Sequence, residues 1–137
     1  MQHDAFIGYV QERARLGSRG EAERATRATL ETIAERIPAG LAENLAAQLP
    51  HEVGEHMRRV THAVDEPEEG ERFGRIEFLD RVAERAGGGT EAGDAASWAR
   101  AVFAVVDEAT SGSSTHKVFD SLPDDVRALL GTGANSS

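Results

Sequence analysis

The stretch GEAERATRATLETIAERIPAGLAENLAAQLPHEVGEHM (residues 20–57) decides the fold, because it lies without a gap over GDAASWARAVFAVVDEATSGSSTHKVFDSLPDDVRALL (residues 93–130). Gly20/Gly93, Ala22/Ala95, Arg27/Arg100, Ala28/Ala101, Glu35/Glu108, Leu49/Leu122, Pro50/Pro123 and Val53/Val126 are identical. Leu30/Phe103, Ile33/Val106, Leu45/Val118 and Met57/Leu130 keep their apolar character. Upstream, a register shorter by one residue sets Phe6, Val10, Glu12, Arg13 and Ala14 over Phe78, Val82, Glu84, Arg85 and Ala86. Order is kept across the unit with one loop insertion, which is the signature of an internal repeat.

Each copy reads as helices. Phe6, Val10 and Ala14 recur every four residues, which is one helical face. Leu16-Gly17-Ser18 ends that helix, and Gly87-Gly88-Gly89-Thr90 is the matching stop. A longer helix follows from about Gly20 to Ile37, with Ala22, Thr29, Ile33 and Ile37 in one stripe; Ala95, Val102 and Val106 take those places in the second copy. Pro38 and Ser111-Gly112-Ser113 break it. Short third helices are expected near Leu41–Gln48 and Thr115–Ser121. Leu-Pro-x-acid-Val (Leu49 to Val53, Leu122 to Val126) then starts a fourth, with proline in the first turn and Glu52 or Asp125 suiting the positive end of the helix dipole.

Between the copies, Asp65-Glu66-Pro67-Glu68-Glu69-Gly70-Glu71 has no large apolar residue and reads as a solvated surface linker. The expected organisation is one all-α domain. Its parts are a helical repeat over 4–61, an acidic linker over 62–72, a second repeat over 73–130 and a disordered tail over 131–137, with the repeats packed as one bundle about a pseudo-two-fold axis.

Glu21-Ala22-Glu23-Arg24-Ala25-Thr26-Arg27-Ala28-Thr29-Leu30, the Ala47-Gln48-Leu49-Pro50 turn, Arg72-Phe73 and Glu77-Phe78-Leu79-Asp80-Arg81-Val82 together resemble the prokaryotic domain-of-unknown-function family DUF2267, from Phe6 to about Leu130. The resemblance implies a compact helical domain with two related halves and no established activity. The chain departs from the family's plainer helix at His51-Glu52-Val53-Gly54-Glu55-His56, so no role transfers onto those residues.

Composition narrows the function classes. With no Cys in 137 residues there is no disulfide scaffold, thiolate zinc site or Cys nucleophile. A net charge of -9 repels phosphate backbones, and the arginines at 13, 15, 19, 24, 27 and 36 are balanced by Asp4, Glu12, Glu21, Glu23, Glu31 and Glu35, so nucleic acid is not an expected partner. Neither a signal peptide nor a membrane span is legible, and the expected location is the cytoplasm.

Few residues offer chemistry. His51, Glu52, Glu55 and His56, with His62 beyond, form the one cluster of metal-ligand types. The first two His are five apart and point about 140° from each other, unlike the four-residue spacing of a zincin. His51/Glu55 and Glu52/His56 are each i, i+4 pairs, and a solvated helix face explains them. The glycine run lacks a preceding strand and a following Lys-Ser/Thr, so it is a helix connection, not a phosphate loop. Ser97, Ser111, Ser113 and Ser114 form no nucleophile elbow, and His116 reads as a surface residue. Trp98, opposite Ala25 in the repeat, reads as core. Arg27 and Arg100 recur although Glu23 and Glu31, the i−4 and i+4 partners of Arg27, are replaced around Arg100 by Ala96 and Ala104. Tertiary contacts are therefore expected for both, to Glu12 and Glu84 or to carbonyls at a helix end. No catalytic, cofactor-binding or metal residue is assigned. The expected role is a non-enzymatic interaction or regulatory module presenting a helical groove to another protein or to itself. The alternative is metal-dependent or hydrolytic activity around His51, Glu55 and His56.

Overall fold

A computed structural model describes residues 1–61, 71–87, 89–110 and 113–131. All regular structure among them is helical: α1 (His3–Ala14), α2 (Arg19–Arg36), α3 (Ala39–Gln48), α4 (His51–Thr61), α5 (Arg75–Ala86), α6 (Ala92–Ala109), α7 (Ser113–Ser121) and α8 (Asp124–Gly131).

Local chemistry sets the boundaries. The α1 helix stops where Arg15 turns left-handed (φ 56°), its N–H reaching back to Glu12, while the N–H of Leu16 reaches Gln11. At the start of α2 the Ser18 hydroxyl accepts from the N–H of Glu21 at 3.2 Å, which satisfies one of the orphan donors of a helix N-terminus. Pro38 follows Ile37, the C-cap of α2, and is itself the N-cap of α3, its carbonyl accepting from Leu41 and Ala42, so it separates one helix from the next. Pro50 and Pro123 sit one residue outside their helices, not in the first turn. Their carbonyls accept from Val53 and Gly54, and from Val126 and Arg127.

The two 18-residue helices, about 27 Å long, form the centre. They pack on each other; α1 and α5 each bridge them, and α4 covers α2 while α8 covers α6. The stripe of Ala22, Thr29, Ile33 and Ile37 is buried, as are Ala95, Val102 and Val106. One core cluster runs from Phe6, Ile7 and Val10 through Phe78 and Val82 to Leu129 and Leu130. Trp98 is half-buried at its edge rather than inside it, whereas Ala25 is fully buried.

Three further expectations change. Glu71 is not free in solvent: its N–H donates to the carbonyl of Glu35 at 2.8 Å, its carboxylate holds Arg81 at 3.2 Å, and Phe73 beside it is buried. Residues 71–74 are thus a strap across the end of α2; the rest of the acidic linker, 62–70, lies outside the described residues. Gly131 is not tail but the buried last residue of α8, while 132–137 lie outside the described residues. Ser113 opens α7 instead of belonging to the break before it; Ser111 and Gly112 are outside the described residues.

The α2 helix also carries buried hydroxyls. Thr32 is satisfied by the Ala28 carbonyl and by Arg85, but the hydroxyls of Thr26 and Thr29 have no hydrogen-bond partner. A buried unsatisfied hydroxyl costs on the order of 1–3 kcal/mol. Val102 stands in the place of Thr29 in the second half. Thr29→Val, equal in shape, is expected to raise stability by about 1 kcal/mol, read as a higher urea midpoint at unchanged slope.

Candidate functional site

The principal cavity, about 560 Å³, is a groove where α6, α7 and α8 meet beside the end of α1. Its floor is apolar: Phe103 of α6, Phe119 of α7 and Leu130 of α8, with half-buried Ala104 between them. The rings of Phe103 and Phe119 stand 5.9 Å apart at 34°, a tilted arrangement of favourable energy. Thr115 seals one end, its hydroxyl 2.8 Å from that of Thr110. The rim is polar, with Arg13, Arg100, Asp107, Glu108 and Asp120 carrying charge and His116 beside them.

The groove exists because the last two helices stand apart. In the first half α3 and α4 pack along their length, and the backbone of Gly54 lies so near Ala46 that an added Cβ would be 2.5 Å from the Ala46 oxygen. The repeat register sets Phe119 opposite Ala46 and Arg127 opposite Gly54. The Cβ of Arg127 does not permit that approach, and α7 and α8 barely touch among the described residues.

Two ion pairs flank the central helices. Arg85 grips Glu35 with both terminal nitrogens at 2.7 and 2.6 Å and also reaches Glu31 at 3.4 Å. Burial raises the Glu35 pKa, but the hydrogen bonds and charges of Arg85 and Arg81 outweigh it and hold the carboxyl below its ordinary value. Arg13 pairs with Glu108 at the groove rim. All four stand at positions that the two sequence registers match, Arg13 with Arg85 and Glu35 with Glu108. Only the pairing across 50 and 95 positions was illegible, although the joint recurrence of one Arg and one Glu is the trace it leaves.

Arg27 and Arg100 do make tertiary contacts, but not to Glu12 or Glu84, which are both exposed. Arg27 donates to the carbonyl of Arg85 at 3.2 Å, in the last turn of α5, and Arg100 donates from Nε to the carbonyl of Leu129 at 3.1 Å, in the last turn of α8. Helix C-termini leave their final carbonyls unpaired, and a guanidinium beside them is favoured by the dipole as well. Arg100→Ala is expected to cost roughly 1–3 kcal/mol in urea unfolding, against under about 0.5 for Glu23→Ala, whose carboxylate is 45% exposed. A wild-type midpoint for Arg100→Ala would reduce that recurrence to inheritance.

The histidines disperse. His51 is 78% exposed with Glu55 at 3.8 Å, and it borders a shallow polar depression with His3, Asp4 and Glu52. His56 turns inward from the other side of α4, where burial, then Arg59, pushes its pKa down to about 4. Among the described residues no three His, Asp or Glu side chains converge on a point where a metal would sit; His62 lies outside them. Ser97 is exposed, Ser114 accepts from the Gln48 amide, and His116 is exposed at the groove. Gly87 (φ 113°) and Gly89 (φ 86°) make the turn between α5 and α6 in conformations that favour glycine; Gly88 is outside the described residues. No described helix is long and apolar enough to cross a membrane.

Residues 3–129 match the profile of a family described as "Uncharacterized conserved protein (DUF2267)". No curated protein matches the chain.

Proposed function

The chain belongs to the DUF2267 family, and on that premise we propose that it is a non-enzymatic interaction module that receives a protein partner in the groove between α6, α7 and α8. The observation that carries this reading is the apolar floor of Phe103, Phe119 and Leu130 under a charged rim, in a cavity of about 560 Å³. An apolar centre with aromatic residues inside a polar rim is the anatomy of a protein interface, where aromatic anchors carry most of the energy.

The reading includes a duplicated origin, with copies over 4–61 and 73–130 related by a pseudo-two-fold axis. The helix order and the paired lengths of 12 residues for α1 and α5 and 18 for α2 and α6 support it. So does the exchange by which α1 packs on α6 as α5 packs on α2, with Arg13–Glu108 mirroring Arg85–Glu35. A cytoplasmic partner other than nucleic acid fits the net charge of -9.

A photoreactive side chain at His116, exposed on the groove rim and introduced in the native host, tests the docking claim without filling the floor. One discrete adduct is expected at position 116 and none from a probe at exposed Asp80 on α5. Equal labelling from both positions, or none from either, contradicts the proposal.

A further inference from the structure

We propose that the groove accepts a helical segment of a partner protein, with an apolar face on Ala104 and Phe119 and basic side chains flanking it to meet Asp107 and Asp120. This rests on the docking and two-copy readings above and deepens them.

The first half shows what covers the equivalent place. There the last turn of α4 lies over α2 and α3: Arg59 reaches Glu31 at 3.4 Å, the Thr61 hydroxyl donates to Glu43 at 2.8 Å, and Val60 packs against the core. In the repeat register Glu31 and Glu43 become Ala104 and His116, and both line the groove. Gly131, the end of α8, corresponds to Arg58, so among the described residues nothing stands where Arg59, Val60 and Thr61 stand. The next residues in sequence, Thr132-Gly133-Ala134, offer no large apolar side chain for that role.

The mirrored ion pairs differ in exposure in the same sense, with Arg81 and the 71–74 strap adding to the shielding of the first. Arg85 and Glu35 are 26% and 17% exposed, whereas Arg13 and Glu108 are 40% and 45% exposed. The same interaction is shielded in one half and open in the other.

The chemistry of the cover follows from what was exchanged. Glu31 and Glu43, which hold the polar turn of α4, are replaced by Ala104 and His116, neither of them an acid, so the floor now favours an apolar face. Ala34 and Ala47 are replaced by Asp107 and Asp120, both exposed and reached by no ion pair among the described residues. The acids have moved from floor to rim, where they complement basic flanks. A second copy could offer Ile76, 79% exposed beside Arg75 on α5. Two copies of a chain with a net charge of -9 repel each other, so a separate partner is favoured.

The test uses the full chain and a helix-stapled peptide with Leu along one face and Arg on both flanks, compared with a version carrying Glu on the flanks. Titration is read by peptide anisotropy and by NMR shifts of the groove residues. The Arg peptide is expected to bind about ten-fold or more tightly than the Glu peptide. Asp107→Asn with Asp120→Asn, at exposed sites that leave the fold intact, should remove most of that preference, and Ala104→Trp should abolish binding by filling the floor. Equal affinity for both peptides, or binding indifferent to these variants, overturns the proposal. Self-association lost in both Ile76→Glu and Ala104→Trp would also overturn it, in favour of a second copy, while leaving the docking reading intact. If the peptides fail and the photoprobe at His116 labels nothing beyond the Asp80 control, the docking reading falls with it.

Discussion

Arg85→Ala is expected to destabilise the protein by about 2–4 kcal/mol, and Arg13→Ala, the mirrored substitution, by under about 1. Both remove an Arg whose partner is a recurrent Glu on a central helix. The difference lies in the surroundings. Removing Arg85 leaves Glu35, 17% exposed, without its two-pronged partner, and deprives Thr32 of a donor. Removing Arg13 leaves Glu108 45% exposed and able to take water instead. The pH dependence has a definite sign. A carboxyl held below its ordinary pKa in the folded state contributes stability that is present above the unfolded value and lost as pH falls through the folded one. The gap between wild type and Arg85→Ala in urea midpoint should therefore be widest near neutrality and narrow once pH drops below the ordinary Glu range. Equal losses for the two substitutions would contradict the difference in cover between the halves.

Gly54→Val is the second large effect, also about 2–4 kcal/mol. Glycine inside a helix ordinarily costs about 0.5–1 kcal/mol relative to Ala, so its replacement usually stabilises. Gly8, exposed in α1 with nothing within 4 Å of an added Cβ, should follow that rule, and Gly8→Ala is expected to gain up to about 1 kcal/mol. At Gly54 the Cβ would lie 2.5 Å from the Ala46 oxygen, a backbone atom that moves only if α3 leaves α4. The sign therefore reverses. Thermal unfolding of the two variants checks both, and a stabilised Gly54→Val would mean that α3 and α4 are not held at this distance.

The helices were legible because their signals are local. The Ala22–Thr29–Ile33–Ile37 stripe keeps one period, Pro38 can only punctuate, and the register between residues 20–57 and 93–130 shows the pattern twice. The groove was not legible, since it depends on how far apart two helices stand. Ala46 and Gly54 reveal their role only where α3 meets α4, and Phe119 and Arg127 only in contrast with them. Arg27 and Arg100 make tertiary contacts, as expected, yet their partners are backbone carbonyls that have no sequence identity to read. Glu71 was misread because its acidic neighbours resemble a solvated run, while its own N–H and carboxylate are fixed by Glu35 and Arg81.

The account depends most on the two halves sharing one core, with α1 on α6 and α5 on α2. Cutting between residues 66 and 67 tests this directly. Each fragment would expose the faces of its long helix that the other half now buries, and a unit of about 60 residues is marginal even with its core complete. Expressed separately, residues 1–66 and 67–137 should each lack a cooperative thermal transition and regain one when mixed. A cooperative melt from either fragment as a monomer would contradict the shared core.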